Sequence, residues 1–167
     1  MRISTRGEYG LRALMELALE PDRALSLRDI ANRQHISLDY LEQIMPALKT
    51  AGLIRARRGA QGGYQLTREA SSITVYDALC ALEGTFDPMM CLANGVAQEP
   101  EGSPFPDGCG ASGSCAVQEV WRQLKNVVEA VLKKITLAQL VERQQRRYGG
   151  PIRTSSDHEF MKLVVLN

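Results

Sequence analysis

The chain has 167 residues, enough for a sizeable core and too few for a large multidomain enzyme. Its 44% hydrophobic and 23% charged content is that of a globular chain, and no apolar run approaches the roughly 18 residues a membrane span needs. The net charge of +1 conceals an asymmetry: residues 1–70 carry 11 Lys/Arg against 8 Asp/Glu, whereas residues 71–167 carry 9 against 11. An excess this small does not by itself specify a nucleic-acid partner, so local pattern decides.

After Thr5, the residues Leu11, Leu14, Met15 and Ala18 follow helical spacing to about Leu19, where Pro21 and Asp22 end the pattern. Arg12 and Glu16 interrupt this first apolar stretch, unlike the centre of a secretory signal, so the cytosol is the expected compartment. Ser26 with Asp29 reads as the cap of a short second helix ending near Gln34, and His35-Ile36 as a tight turn. Ser37 then caps a third helix whose Leu41, Ile44, Met45 and Leu48 face inward and which Gly52 terminates. Pro46 removes a donor inside that helix, which predicts a kink or break there.

Helix, short turn and helix together can leave the polar start of the third helix free for a major groove. Asp39, Tyr40, Glu42 and Gln43 occupy it, and Gln pairs with adenine edges while a carboxylate accepts from cytosine. Residues 54–66 follow as two short extended stretches around Gly59, Gly62 and Gly63, a wing whose Arg55, Arg57 and Arg58 supply charge for phosphates or a minor groove. Arg28, Ser37 and the wing-tip Gln61 complete the candidate DNA contacts.

Thr74 opens a fourth helix, ending at Gly84, on which Cys80 sits at core spacing and reads as a small buried hydrophobe. The stretch up to Cys115 holds four prolines and five glycines, too irregular for a long helix and too long for a routine connection. It carries Cys91, Cys109 and Cys115, spaced C-x17-C-x5-C, with the last at the edge of a long helix, where amides and the dipole favour a thiolate. Three thiolates can hold iron or zinc with a fourth position to fill. The spacing lacks a C-x2-C pair, and His35 and His158 lie far off, which disfavours structural zinc.

Beyond Cys115, the residues Val117, Trp121, Leu124, Val128, Val131 and Ile135 alternate steps of four and three, widened by Val120, Val127 and Leu132. One helix cannot bury so broad a seam, so part is expected to face its own domain and part a second copy in a homodimer. Thr136 begins a short final helix through Leu137, Leu140 and Val141. The expected organisation is a winged helix-turn-helix DNA-binding domain over 1–83, a cysteine-containing sensor loop over 84–115, a dimerisation helix and short final helix over 116–145, and a tail over 146–167. The fold class is mainly α with a small β wing.

The opening MRISTRGEYGLRAL, the run ISLDYLEQIMPALKTAGLIRARRGAQGGYQL and the cysteine cluster resemble the bacterial regulator family that includes IscR, NsrR, RirA and CymR, over residues 1 to about 145. The wing departs from many relatives in having Gly-Ala-Gln-Gly-Gly for a Gly-Pro-Gly-Gly-Gly run. The resemblance implies a homodimeric, non-enzymatic transcription factor that binds a double-stranded operator and, in many members, carries an iron–sulfur cluster. Members with clusters place three cysteines in this loop, commonly closer together, so the wide first gap departs and the C-x5-C agrees. The implied cofactor is an iron–sulfur cluster on Cys91, Cys109 and Cys115, with [2Fe–2S] slightly preferred over [4Fe–4S]. For the fourth ligand the resemblance points to Glu8 of the partner subunit. Two other roles compete for Glu8: a capping box with Thr5 and an ion pair with Arg12. The alternatives are a cluster-free regulator using thiol oxidation or a protein partner and, in another class, an iron–sulfur electron-transfer protein.

Overall fold

The computed structural model describes residues 3–59, 62–84 and 116–148. In chain order its elements are α1 (Thr5–Leu19), α2 (Leu27–Gln34), α3 (Leu38–Thr50), β1 (Ile54–Arg57), β2 (Gly63–Leu66), a 3-10 turn at Ala70–Ser72, α4 (Val75–Glu83), α5 (Ala116–Lys134) and α6 (Leu137–Tyr148). This is the mainly helical, winged architecture expected. The expected tail beyond Tyr148 lies outside the described residues.

Local chemistry sets the helix ends. Ser26 accepts the backbone N–H of Asp29 at 3.1 Å, and its hydroxyl donates to the Asp29 carboxylate at 2.8 Å, starting α2. His35 ends α2 in the left-handed region, φ 52°, and two residues later Ser37 accepts from the Tyr40 amide to start α3. At the far end of α3, Gly52 takes φ 69°, its N–H reaches the Lys49 carbonyl, and the Leu53 N–H reaches the Leu48 carbonyl. That pattern is a Schellman close, with buried Leu53 and Leu48 as its apolar contact. Thr74 and Asp77 form a capping box on α4.

Two expectations need correcting. The cap of α1 is Ser4: its hydroxyl accepts from the amides of Arg6 and Gly7, which leaves Thr5 inside the first turn. Glu8 therefore closes no capping box. The carboxylate that receives the Ser4 N–H, at 3.1 Å, is Glu83 at the end of α4. Nor does Pro46 break α3, which runs unbroken to Thr50. Pro46 and Glu42, whose carbonyl loses its amide partner there, are both exposed, so water can replace the missing donor.

The core forms where Leu14 and Leu17 of α1, Ile30 of α2, and Leu41, Ile44, Met45 and Leu48 of α3 converge with Leu25, Leu53, Ile54, Ile73 and Leu82. Fully burying a Leu or Ile side chain contributes about 1.5–3 kcal/mol each. The wing pairs Ile54 with Leu66 through Arg57 with Gly63, antiparallel. Leu25 adds a bridge to Tyr64 through mutual bonds of 3.0 and 2.8 Å. That bridge explains Gly63, where a Cβ would lie 2.3 Å from the Leu25 carbonyl oxygen. The chain returns after α5: Val75 N–H donates to the Ile135 carbonyl, Leu137 N–H to Ile73, and Leu137 is fully buried in the core of the first three helices.

Candidate nucleic-acid interface and sensor residues

The start of α3 projects from this core with Ser37, Asp39, Glu42 and Gln43 exposed. Tyr40 is only half-exposed, because its ring meets the edge of Tyr9 on α1 at 5.7 Å. Beside α3, β1 buries Ile54 and exposes Arg55 and Arg57, with Arg58 exposed just beyond. Arg28 is exposed in the first turn of α2. An open cleft of about 680 Å³, lined by Asp22, Arg23, Ser26, Asp29, Arg57 and Arg58, joins the start of α2 to the wing. The start of α2 and the wing arginines Arg57 and Arg58 thus border one cleft. Gln61 lies outside the described residues.

Beneath this surface runs a polar brace that sequence reasoning missed. Arg12 of α1 donates from Nε to Gln34 Oε1 at 2.8 Å and from Nη2 to the Gln34 carbonyl at 2.6 Å. Gln34 Nε2 donates in turn to Glu16, a fully buried carboxylate that also accepts from Arg33 at 3.3 Å. Arg33 bridges on to Glu20. Burial alone would lower the Arg33 pKa, but its bonds to the Glu20 and Glu16 carboxylates outweigh this and push it up. The buried charge is thus paired and hydrogen-bonded. Spacing gave no signal for it: Glu16 lies away from the stripe of Leu11, Leu14, Met15 and Ala18, and it is buried by the partners that α2 brings to it.

Of the four proposed cluster ligands, Cys91, Cys109 and Cys115 lie outside the described residues. Among the described residues no group of three or more His, Cys, Asp or Glu could hold a metal ion. Glu8 sits on α1 with its side chain 51% exposed and pairs with Arg12 Nη1 at 3.5 Å, so the ion-pair role is realised and the carboxylate stays open to solvent. Cys80 is half-buried in a small cluster with Val75, Leu79, Tyr76 and Leu132. Burial pushes its thiol pKa up, and its hydrogen bond pushes Tyr76 up to about 12. A thiol held protonated is a poor ligand, in keeping with its reading as a core residue.

The long helix α5 has two apolar sides. Trp121, Val128, Leu132 and Ile135 are half-buried, and the last two pack on the α4 cluster, where Lys133 also lies 4.3 Å from the Tyr76 ring. Val117, Val120, Leu124, Val127 and Val131 are 58, 60, 41, 62 and 52% exposed. The expected seam mixed these two sides. The outward one is the three-four alternation 117, 120, 124, 127, 131, and no described residue of α5 is fully buried.

Comparison with known proteins accords with this geometry. The pattern of the Rrf2 family, described as an iron-dependent transcriptional regulator, matches residues 3–143. The HTH-type transcriptional regulator IscR of Escherichia coli is 34% identical over 146 residues, covering 87% of this chain and 83% of that protein. Among solved structures, the IscR of T. potens superposes with a TM-score of 0.67 at 31% identity, covering 95% of this chain and 96% of that one. CymR, the global cysteine regulator of B. subtilis, does so with a TM-score of 0.66 at 33% identity, covering 86% and 98%.

Proposed function

We propose, from the premise that this chain belongs to the Rrf2 family of transcriptional regulators, that it is a homodimer whose affinity for a palindromic operator is set by an iron–sulfur cluster. Its relatives are regulators, not enzymes, and DNA binding follows from that membership. Cys91, Cys109 and Cys115 of one subunit hold the cluster, [2Fe–2S] in preference to [4Fe–4S], and Glu8 of the partner subunit completes the site. When bound, the cluster supplies a redox- and nitric-oxide-reactive centre that is also sensitive to iron–sulfur supply. Ser37, Asp39, Tyr40, Glu42 and Gln43 read or position the major groove, while Arg28, Arg55, Arg57, Arg58 and Gln61 track the backbone and minor groove.

Connectivity carries this reading. The cysteine-bearing segment leaves α4 just after Glu83, whose carboxylate clasps the cap of α1, and it ends where α5 begins with its outward apolar stripe. It is strung between the reading head and the surface that suits a second copy. The donor chemistry fits too: three thiols suit iron–sulfur ligation, and the exposed Glu8 carboxylate pairs with Arg12 at a long 3.5 Å among the described residues.

A second reading, favoured by the likeness to the cysteine regulator CymR, keeps the operator and dispenses with the cluster in favour of thiol chemistry or a protein partner. Anaerobic purification with an absorbance spectrum and iron and sulfide analysis separates the two. The cluster reading expects a coloured protein with stoichiometric iron and sulfide; a colourless, iron-free protein after reconstitution overturns it.

A further inference from the structure

The cleft beside the wing has a wall that the recognition helix does not supply. Leu25, just ahead of α2, exchanges bonds of 3.0 and 2.8 Å with Tyr64 of β2, and Tyr64 pairs in turn with Ala56 of β1. The turn after α1 is thereby tied in register to the wing as a third, one-residue strand. Ser26 follows, so close to the wing that a Cβ at Gly63 would come 2.9 Å from its nitrogen, and Gly63 is the strand partner of Arg57. Around the opening stand three guanidinium groups, Arg23 from the turn and Arg57 and Arg58 from the wing, against two carboxylates, Asp22 and Asp29. Asp29 is already engaged: it accepts the Ser26 hydroxyl at 2.8 Å and sits in the first turn of α2, where the helix dipole offsets its charge. Arg23, with 67% of its side chain exposed, meets Glu20 at 3.3 Å through Nη1. Glu20 is shared with Arg33, and the other donors of the Arg23 fork can serve a further acceptor.

We propose that this cleft seats the sugar–phosphate backbone of one operator strand and that Arg23 is a DNA-binding residue, closing the cleft opposite Arg57 and Arg58; this rests on the reading of the wing as a DNA contact. In helix-turn-helix docking the helix ahead of the recognition helix crosses the backbone. Here that helix is α2, and its start forms one wall of the cleft. A strand crossing there meets the wing arginines on one side and Arg23 on the other. Three cations suit the regularly spaced single charges of a phosphodiester chain, and contacts of this kind carry no sequence information. Asp22 is the opposing element: its carboxylate lines the same space and repels the strand, which holds down affinity for DNA of any sequence.

The test uses the full-length protein and two DNA duplexes, one enriched from a random-sequence library by the wild type and one of random sequence, each titrated at several salt concentrations. Arg23→Gln should weaken binding to both about threefold and make the salt slope shallower by about one. Asp22→Asn should tighten binding to both about twofold, a gain that a merely structural role for this turn would not produce. The proposal is overturned if Arg23→Gln leaves the slopes unaltered, if it weakens binding to the enriched duplex alone, or if Asp22→Asn fails to tighten binding. Both residues are exposed, so the variants should melt as the wild type does; should Arg23→Gln fail to fold, Asp22→Asn decides alone. Millimolar inorganic phosphate, exchanged for chloride at constant ionic strength, should leave DNA binding unchanged. Phosphate that weakens binding by the wild type but not by Arg23→Gln would assign the cleft to a free anion and overturn the backbone reading. Joint replacement of Arg57 and Arg58 by Ala separates the levels. An unaltered slope there removes the wing contact and the clamp together, whereas a shallower slope there with an unaltered one in Arg23→Gln removes the clamp only.

Discussion

α3 and α5 are both amphipathic helices, yet they keep opposite company. In α3, four apolar side chains are buried within the chain's own core, and both ends are closed by local bonds from Ser37 and Gly52. In α5, which is six residues longer, no described residue is fully buried and five large apolar side chains face outward. The stability of α3 is therefore a property of one subunit, while the proposed dimer would leave that of α5 to be completed by association. A recognition helix gains from being rigid before it meets DNA; on the proposed function, a helix joined to a sensor would gain from having its last partner outside the chain.

The sharpest way to break this contrast is a matched pair of truncations. Leu48→Ala in α3 should lower the unfolding free energy by about 2–5 kcal/mol in urea titrations. Leu124→Ala in α5 should cost less than about 0.5 kcal/mol when measured at concentrations too low for self-association. Equal costs would mean that α5 packs inward. Next in size, Leu124→Glu combined with Val127→Glu should halve the mass seen by light scattering. It should also weaken operator binding about a hundredfold, because each half-site then binds alone. Unchanged mass in that variant would place the dimer interface elsewhere.

On the reading side, replacing Arg57 and Arg58 together by Ala should weaken operator binding about tenfold and make the salt slope shallower by about two. An unaltered slope would remove the wing from the phosphate contacts. The smallest effect concerns His35, which holds a left-handed φ of 52° in an exposed turn. His35→Gly should raise the thermal stability of the subunit by up to about 1 kcal/mol, since glycine adopts that conformation without strain. A fall in melting temperature would show that the imidazole makes a contact worth more than the strain.

What was legible in the sequence divides along the same line. The caps at Ser26, Ser37 and Thr74, the close at Gly52, the inward face of α3 and the paired wing strands rest on neighbours a few residues apart, so pattern sufficed; on α1 the stripe was turned, with Ala13 and Leu17 buried beside Leu14 while Leu11, Met15 and Ala18 are only partly covered. Three features depended on distant partners. Ser4, not Thr5, caps α1, and its amide is held by Glu83 from 79 residues away. Two apolar seams overlap on α5, and the α4 cluster around Leu79 and Tyr76 decides which one turns inward. Glu16 is intelligible only once Arg33 and Gln34 are seen to reach it from α2. For the site itself, spacing could nominate the recognition face and the cysteines, but the guanidinium linking Glu8 to Gln34 is a product of packing.

The burial of Leu137 among the first three helices makes the reading head an interleaved rather than a detachable unit. A chimera built by transplanting residues 3–84 alone would open a hole lined by apolar side chains and strand the Ile73 carbonyl and the Val75 amide, which now pair with Leu137 and Ile135. Any graft that is to keep its grip on DNA must carry the α5–α6 corner with it, and with that corner comes the surface through which the protein is expected to meet its second copy.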